Sequence, residues 1–270
     1  MPRAAARYGG KTALVVGERR FSYANLNQST NRLANALAAL GVRAGERVTL
    51  YSVNGWEWVV AYYAVLKAGG IVNPINVMLT PSEVSYVVND CGARVLITSA
   101  DKAPSLAELK STMPVDHLIV YGDAPIAGAH ALDELMGRAS DEFEIVPRMP
   151  EDIATIGYTS GTTGRPKGAM LTHRAVIYNS VMTATMHVRT AADTVVTALP
   201  CAHVYGNIVL NGSLITGGTL VLMERFDAEE ALRLIVEHRA TLFDGVPTMY
   251  MYMLALPGIE VFDLSGLARC

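Results

Sequence analysis

Short apolar runs and longer amphipathic stretches alternate along this chain. Apolar runs of about four to eight residues are typical of strands, and apolar residues at every third or fourth position are typical of helices. The predicted strands are residues 11–16, 20–23, 48–53, 94–98, 117–121, 153–156, 194–199, 219–223 and 241–243. The predicted helices begin near Ser22, Trp56, Pro81, Thr172, Val204, Asp227 and Thr248.

Strands and helices follow one another in turn from residue 48 onward. Such alternation favours mainly parallel sheets flanked by helices, so the expected fold class is α/β. The sequence Thr80-Pro81-Ser82-Glu83 has the spacing of a helix capping box, with proline at the first helical position. Residues 137–150 show neither the helical nor the strand pattern of apolar residues and are predicted to form a connector.

Composition and charge narrow the function only a little. The chain has 270 residues, of which 51% are hydrophobic and 17% are charged, and its net charge is −3. A nucleic-acid surface requires a clustered basic patch, which the sequence lacks, so no nucleic-acid partner is expected. The most apolar stretch, residues 58–66, is too short to span a bilayer, which leaves only peripheral membrane contact open.

The cysteines and the N-terminus indicate a cytoplasmic location. Cys91, Cys201 and Cys270 are far apart and form no metal-binding or redox motif. The apolar segment of a signal peptide does not follow Arg3 and Arg7. We therefore expect a protein of the reducing cytoplasm.

Residues 158–168 carry the most informative chemistry, with the sequence Tyr-Thr-Ser-Gly-Thr-Thr-Gly-Arg-Pro-Lys-Gly. Glycines let the backbone turn tightly and approach a ligand. Free N–H groups, together with serine and threonine hydroxyls, form a concave site for anions. Lys167 adds a positive charge. The composition therefore predicts a loop that binds phosphate.

This loop is not a Walker A motif, which needs a hydroxyl residue directly after its lysine. Gly168 follows Lys167 here. A flexible linker rich in glycine, serine and threonine is the structural alternative. The flanks favour a binding loop, because residues 153–156 are predicted as a buried strand and a helix is predicted to open at Thr172. A strand, a glycine-rich loop and a helix in succession form a common phosphate site.

The loop resembles the signature of the adenylate-forming superfamily, which includes acyl-CoA synthetases, beetle luciferases and peptide-synthetase adenylation domains. It matches every fixed position of the family pattern Tyr-Thr-Ser-Gly-Thr-Thr-Gly-x-Pro-Lys-Gly. Further segments resemble the family in the same order along the chain, namely residues 21–27, 68–76, 199–206 and 245–250. The last, Gly-Val-Pro-Thr-Met-Tyr, is similar to a segment common in fatty acyl-CoA ligases.

The resemblance implies that ATP binds at this loop. The residues expected to bind its β- and γ-phosphates are Thr159, Ser160, Gly161, Thr162, Thr163, Gly164 and Lys167. The family's magnesium-binding glutamate, ribose-binding aspartate and catalytic lysine belong to later segments, so no metal ligand is expected among these residues. The resemblance implies ATP and Mg²⁺ as cofactors and coenzyme A as a co-substrate. A small carboxylic acid is the implied substrate.

His203 is the expected catalytic side chain, because the family places the histidine of Leu-Pro-x-x-His-x-x-Gly beside the reacting carboxylate. A histidine can orient or charge-stabilise a carboxylate there; a core histidine with a satisfied hydrogen bond is the alternative. The residues that the resemblance places along the acyl pocket are His203, Val204, Tyr205, Gly206, Asn207, Gly245, Val246, Pro247, Thr248 and Tyr250. Taken as sequence alone, residues 245–247 are equally well explained as a strand-to-helix turn.

The resemblance covers essentially the whole chain and implies part of a large AMP-binding domain. One α/β subdomain, with the phosphate loop, is expected at about residues 45–190, and part of a second at about 1–40 with 195–270. The family's mobile C-terminal domain is not among these residues, so the 270 residues alone are expected to be inactive.

The implied reaction is ATP-dependent activation of a fatty or other apolar carboxylic acid to an acyl-adenylate, followed by transfer to coenzyme A. An aryl-acid or amino-acid adenylating enzyme is the alternative within the family. A non-catalytic truncated remnant is the alternative outside it. Thioester formation by the full-length protein would support the first hypothesis.

Overall fold

The computed structural model describes residues 1–122, 126–159 and 166–270. The chain divides into two compact units. Unit 1 consists of Met1–Asn27, Val53–Trp56 and Ile177–Cys270, and unit 2 consists of Gln28–Ser52 and Glu57–Val176. Each unit has its own mainly parallel sheet, with helices between most of the strands that follow one another in sequence. The α/β fold class predicted from the sequence is confirmed.

Strands and helices alternate along the described residues. The strands are β1 (Thr12–Val16), β2 (Arg19–Ser22), β3 (Arg47–Tyr51), β4 (Ile71–Pro74), β5 (Val95–Ser99), β6 (His117–Tyr121), β7 (His130–Ala131), β8 (Ile153–Thr159), β9 (Lys167–Thr172), β10 (Thr194–Thr197), β11 (Thr219–Leu222) and β12 (Leu242–Asp244). The α-helices are α1 (Pro2–Tyr8), α2 (Tyr23–Ala39), α3 (Trp56–Lys67), α4 (Pro81–Cys91), α5 (Ala103–Leu109), α6 (Leu132–Gly137), α7 (His173–Met186), α8 (Val204–Thr216), α9 (Ala228–Glu237) and α10 (Pro247–Leu254). None of these helices is long and apolar enough to cross a membrane.

Unit 1 contains a five-stranded sheet in the order β12-β10-β11-β1-β2. Its strands are parallel except β2, which is antiparallel to β1. The predicted strands 11–16 and 20–23 are confirmed as β1 and β2, which form an antiparallel hairpin. A parallel sheet places the carboxyl ends of its strands at one edge, where binding sites of α/β proteins usually lie.

The core of unit 1 forms where α9 and α10 pack on this sheet. Val196 and Phe243 of the strands share one buried cluster with Leu232 of α9. α9 begins where the sequence predicts, because the Asp227 carboxylate accepts a hydrogen bond from the N–H of Glu230. This packing holds the carboxyl ends of β10 and β12 side by side.

Unit 2 contains a seven-stranded sheet in the order β7-β6-β5-β3-β4-β8-β9. Only β9 is antiparallel to its neighbour, β8. The predicted capping box starts α4, since the N–H of Glu83 donates to the Thr80 hydroxyl and the Glu83 carboxylate accepts from the N–H of Thr80. Val84 and Val88 of α4 then join the buried cluster of this unit.

The helix predicted to open at Thr172 is confirmed as α7, but the sequence did not predict strand β9, which lies between the phosphate loop and this helix. The chain enters strand β9 first, and α7 begins only at His173. Thr159 of β8 is paired with Lys167 of β9, so the phosphate loop is flanked by two antiparallel strands instead of by a strand and a helix. β9 has mostly exposed side chains, and its run of three apolar residues, Ala169 to Leu171, is shorter than the runs that mark a buried strand. The six residues of β9 therefore separate the loop from the N-terminus of α7.

Several short elements also differ from the predictions. A short helix or a two-residue strand offers too few positions for a hydrophobic period to be recognised. The elements that the sequence did not predict, apart from β9, are α1, β4, β7, α5 and α6. The segment 137–150 contains no further strand or helix after α6, as predicted for a connector.

Lys67, at the end of α3, is expected to make stability depend on pH. Its Nζ donates to Thr30 Oγ1 and Asn31 Oδ1, each at 2.6 Å, and burial lowers the pKa of Lys67 from 10.5 to about 8. Between about pH 8 and pH 10.5 the unfolded chain therefore binds more protons at this residue than the folded chain. The free energy of unfolding should gain a positive slope with pH in this window.

The measurement is urea unfolding of the wild type and of Lys67→Met across that pH range. Methionine has no proton to lose, so the contribution of Lys67 to the slope should disappear. An identical pH slope in the two proteins would show that Lys67 stays charged in the folded state.

Candidate functional site

Thr159 and Lys167 close the base of the phosphate-loop hairpin. The two residues are Cα partners at the loop end of the β8–β9 ladder, and both are exposed. A hydroxyl and an ammonium group at the same end of a hairpin can both bind phosphate oxygens. The other predicted phosphate-binding residues, Ser160, Gly161, Thr162, Thr163 and Gly164, lie outside the described residues.

Gly168, the last residue of the signature, is required by packing across the hairpin. It is paired with Tyr158, and an added Cβ would lie 2.9 Å from Ile156 Cγ2 and 3.2 Å from Tyr158 Cζ. The missing side chain therefore makes room for the tyrosine ring. The glycines of this loop are predicted to allow close approach of a ligand, whereas Gly168 serves the packing of the stem.

The predicted acyl-pocket residues come together at the carboxyl edge of the unit 1 sheet. β10 and β12 are parallel neighbours with Thr197 opposite Asp244. The segments that follow these strands, residues 198–207 and 245–250, therefore start at the same edge. The hydroxyl of Tyr205 lies 3.5 Å from Asp244 Oδ1 and links the first segment to the end of β12.

His203 stands at the N-terminus of α8 with an exposed side chain. Its backbone is extended, and Nδ1 is 3.5 Å from the N–H of Tyr205, a long capping contact. The imidazole is therefore not a buried core group, which was the structural alternative. An exposed ring at this sheet edge can reach a bound carboxylate.

The remaining acyl-pocket residues differ in how they are held. Asn207 accepts hydrogen bonds from Asn211 Nδ2 at its backbone oxygen and, at 3.0 Å, at its side-chain oxygen. Tyr250 donates its hydroxyl proton to the Phe243 carbonyl at 2.8 Å, and burial raises the pKa of Tyr250 to about 12. The exposed residues of this set are Val204, Val246, Pro247 and Thr248. Gly245 lies in the turn between β12 and α10.

Gly206 is buried in the first turn of α8, against the segment that follows β10. A Cβ at this position would lie 2.2 Å from the Pro200 oxygen and 2.6 Å from its carbonyl carbon. Both are backbone atoms, which cannot rotate away as a flexible side chain would. Glycine is thus the residue that lets α8 begin this close to the sheet edge.

Gly206→Ala is expected to lower the free energy of unfolding by about 1–3 kcal/mol, as overpacking usually does. Gly10→Ala is the matched control in the same unit, because a Cβ on Gly10 would meet nothing within 4 Å. Chemical denaturation of both variants measures the difference. Equal stability of Gly206→Ala and Gly10→Ala would contradict the tight approach of α8 to Pro200.

A buried ion pair, which the sequence analysis missed, lies beside these residues. Arg189 Nη2 and Asp244 Oδ2 are 2.6 Å apart, and their side chains are only 1% and 2% exposed. Arg189 Nη1 also donates to the Val209 carbonyl at 3.3 Å and to Ser213 Oγ at 3.4 Å. The pair thus joins the end of β12 to α8. The available signal in the sequence was an aspartate at the end of an apolar strand.

Burial raises the pKa of Asp244, and Arg189, His187 and Tyr205 oppose that rise. His187 Nδ1 is 3.7 Å from Asp244 Oδ1 on the other side of the carboxylate. The Asp244 backbone is fixed as well, because Thr197 Oγ1 donates to its carbonyl at 2.7 Å. Asp244 is therefore a structural anchor of the sheet edge and not an exposed ligand group.

Metal-binding side chains do not cluster in the described parts of the chain. Among residues 1–122, 126–159 and 166–270, no group of three or more histidine, cysteine, aspartate or glutamate residues could hold a metal ion.

Comparison with known proteins gives a consistent family. The long-chain-fatty-acid–CoA ligase of Bacillus subtilis is 32% identical over 98% of this chain and 53% of its own length. The indoleacetate–CoA ligase of Aromatoleum aromaticum is 34% identical over 96% of this chain and 51% of its own length. The chain thus spans about half the length of these curated relatives.

The fold comparison agrees. The crystal structure of the anthranilate CoA ligase AuaEII in complex with anthranoyl-AMP superposes with a TM-score of 0.90 at 29% identity, and the match covers 98% of this chain and 52% of that one. The AMP-binding enzyme family matches residues 1–270, the full extent of the sequence. The chain therefore belongs to the AMP-binding enzyme family.

Proposed function

We propose that the whole protein activates a fatty or other apolar carboxylic acid with ATP and transfers the acyl group to coenzyme A. The observation that carries this proposal is the hairpin base at which Thr159 and Lys167 of the complete signature stand opposite each other. Similarity to CoA ligases for fatty and aromatic acids supports the reaction type.

The reaction has two balanced steps. A carboxylate oxygen of the acid attacks the α-phosphorus of ATP, and the bond to the β-phosphate breaks, which releases pyrophosphate. The coenzyme A thiolate then attacks the acyl carbonyl, and AMP leaves. The anthranilate ligase similar to this chain was crystallised with anthranoyl-AMP, an adenylate of the kind formed in the first step.

The described residues would contribute binding and positioning. Lys167 and the hydroxyl of Thr159 would bind the β- and γ-phosphates and stabilise the charge that builds up on pyrophosphate. Mg²⁺ would share the phosphate charge as the usual partner of ATP. The other predicted phosphate-binding residues, Ser160, Gly161, Thr162, Thr163 and Gly164, would complete this site with hydroxyl and backbone N–H donors.

The acid would bind at the carboxyl edge of the unit 1 sheet. His203 is exposed there, and the turn after β12 presents Val246 and Pro247 as apolar surface. An imidazole near the carboxylate can orient it or balance its charge. The apolar character of this turn favours a fatty acid over an amino acid, whose ammonium group would need a nearby carboxylate.

Replacing His203 is expected to impair use of the acid more than use of ATP. Both His203→Ala and His203→Asn should lower kcat/KM for the acid by about tenfold or more, on the order of 1–3 kcal/mol, with the KM for ATP nearly unchanged. Asparagine is a good N-cap, so it keeps α8 capped while removing the imidazole. Full activity of His203→Asn would assign His203 to capping alone.

The experiment that tests the proposed function is a substrate panel with the full-length enzyme. Fatty, aryl and amino acids are each supplied with ATP, Mg²⁺ and coenzyme A, and pyrophosphate and thioester are measured. Thioester formation with fatty acids supports the proposal. A preference for aryl acids, or adenylation of amino acids without thioester formation, would replace the proposal with the corresponding activity. No turnover with any acid would indicate a non-catalytic role.

We also propose that the 270 residues alone do not form the thioester, because the family's later catalytic segments are not among them. Incomplete sets of positioned groups lose most of their effect on a transition state.

The cytoplasm remains the expected location, in keeping with the free thiols of Cys91, Cys201 and Cys270.

A further inference from the structure

The stem of the phosphate-loop hairpin extends beyond the parallel part of the unit 2 sheet. β4 pairs with β8 at Val72 and Thr155, whereas β8 pairs with β9 as far as Thr159 and Lys167. In the described chain, residues 156–159 are thus held in the ladder by β9, which is itself an edge strand. Two strands without further support are only marginally stable, so side chains must fix this stem.

Tyr158 is fixed to α4 by its hydroxyl group. The phenol donates to Asp90 Oδ2 at 2.5 Å, and the ring packs against the buried cluster that contains α4. On its other side the ring lies over Gly168 of β9. Burial and the hydrogen bond to Asp90 both raise the pKa of Tyr158, so the phenol keeps its proton.

A second contact holds the same strand from the neighbouring β4. Asn73 is fully buried, and its Nδ2 donates to the Ile156 carbonyl at 2.8 Å. Its Oδ1 accepts from Thr49 Oγ1 at 2.8 Å, which fixes the orientation of the amide. Asn73 therefore sets where β8 leaves the sheet, while Asp90 and Tyr158 set the direction of the stem beyond that point.

We propose that Asp90 and Tyr158 are positioning residues that hold Thr159 and Lys167 in the arrangement that binds phosphate. This inference rests on the proposed function. Neither side chain needs to touch the nucleotide, since both act through the strand. A phenol–carboxylate hydrogen bond is charge-assisted and stronger than a neutral one. A stem already held in the binding arrangement does not have to be ordered when the phosphates arrive.

The test compares Tyr158→Phe and Asp90→Ala with a matched control, Tyr51→Phe. The Tyr51 hydroxyl donates to the Leu79 carbonyl at 2.7 Å in the same unit, outside the hairpin. Tyr158→Phe and Asp90→Ala each remove the Asp90–Tyr158 contact, which we call the clamp. In the full-length enzyme, these two clamp variants should raise the KM for ATP about tenfold and leave the KM for the acid near wild type. Both KM values of Tyr51→Phe should stay near wild type. The double variant should be no worse than Asp90→Ala, because both changes remove one interaction.

A second measurement does not depend on catalysis. Amide hydrogen exchange of peptides within 153–159 and 167–172 should become faster in Tyr158→Phe and Asp90→Ala but not in Tyr51→Phe. Asp90→Asn, whose amide oxygen can still accept the hydrogen bond, should restore most of the protection and of the ATP KM.

The outcomes separate this inference from the proposed function. The inference that Asp90 and Tyr158 hold the stem would be overturned by any of three results. These are unchanged exchange in the stem, an equal effect of Tyr51→Phe on the KM for ATP, and additive effects in the double variant. Absence of ATP-dependent turnover in the wild type would overturn the proposed function. Exchange would then still decide whether Asp90 and Tyr158 hold the stem.

Discussion

Replacing Arg189 with methionine is expected to lower the free energy of unfolding by about 3–5 kcal/mol, the usual effect of removing one partner of a buried ion pair. Arg189 and Asp244 are almost inaccessible, and their closest atoms are 2.6 Å apart. The variant keeps an apolar side chain at this position but leaves the carboxylate buried without its guanidinium. Urea unfolding at neutral pH measures the loss.

The direction of the pH dependence provides a sharper test. Burial already raises the pKa of Asp244, and the guanidinium opposes that rise. Without Arg189 the folded-state pKa should rise further above that of the unfolded chain. A raised pKa contributes stability that is present at low pH and lost as pH rises through the folded-state value. The deficit of Arg189→Met should therefore be smaller in mild acid than at neutral pH.

Two further variants control this experiment. Adding Asp244→Asn to Arg189→Met removes the buried charge and should recover a large part of the lost stability. Arg94→Met breaks an ion pair with Asp116 whose side chains are 57% and 44% exposed, so it should change stability by about 0–1 kcal/mol. A similarly small effect of Arg189→Met would mean that Asp244 is readily neutralised without its partner.

Elements with local signals were the ones that could be predicted. α4 and α9 have a capping residue at a fixed distance from an acidic residue in the first turn. β5 and β6 are apolar runs that become buried between neighbouring parallel strands. In these cases the interaction that starts or buries the element lies within a few residues of sequence, so the pattern alone suffices.

The β9 strand shows why other elements could not be predicted. Its side chains are largely exposed, so β9 has no buried face that would require a regular pattern of apolar residues. Its partner is β8, on the far side of the phosphate loop, and the glycine-rich sequence suggested a loop that runs into a helix. Pairing between strands is the physical cause of this structure, and pairing is not encoded in local periodicity.

The side chains that support the two candidate sites are also beyond the reach of local sequence. Tyr158 meets Asp90 across 68 positions of sequence, and Arg189 meets Asp244 across 55. The signature identified Thr159 and Lys167 because it is contiguous. The residues that hold those groups in place become neighbours only through the fold.

The largest effect on activity is expected from Lys167. In a full-length enzyme that carries this sequence, Lys167→Ala should lower kcat/KM for ATP about a hundredfold, on the order of 2–4 kcal/mol, as loss of one preorganised charge or donor typically does. Lys167 is exposed at the hairpin base opposite Thr159, so its removal leaves no buried partner. Stability should therefore be nearly unchanged. ATP-dependent pyrophosphate release and thermal unfolding measure the two quantities.

Lys102→Ala tests whether the position of the lost positive charge matters, or only the loss of one positive charge from the protein. It removes the same charge from unit 2, at the start of α5 and outside the hairpin, and it should leave pyrophosphate release near the wild-type rate. Lys167→Arg keeps the charge but replaces a compact ammonium by a planar guanidinium, so it should restore activity only in part. If Lys167→Ala released pyrophosphate as fast as Lys102→Ala, Lys167 would have no role at the phosphates. The hairpin base would then have to bind them through Thr159 and backbone N–H groups, and the Asp90–Tyr158 clamp would act on Thr159 alone.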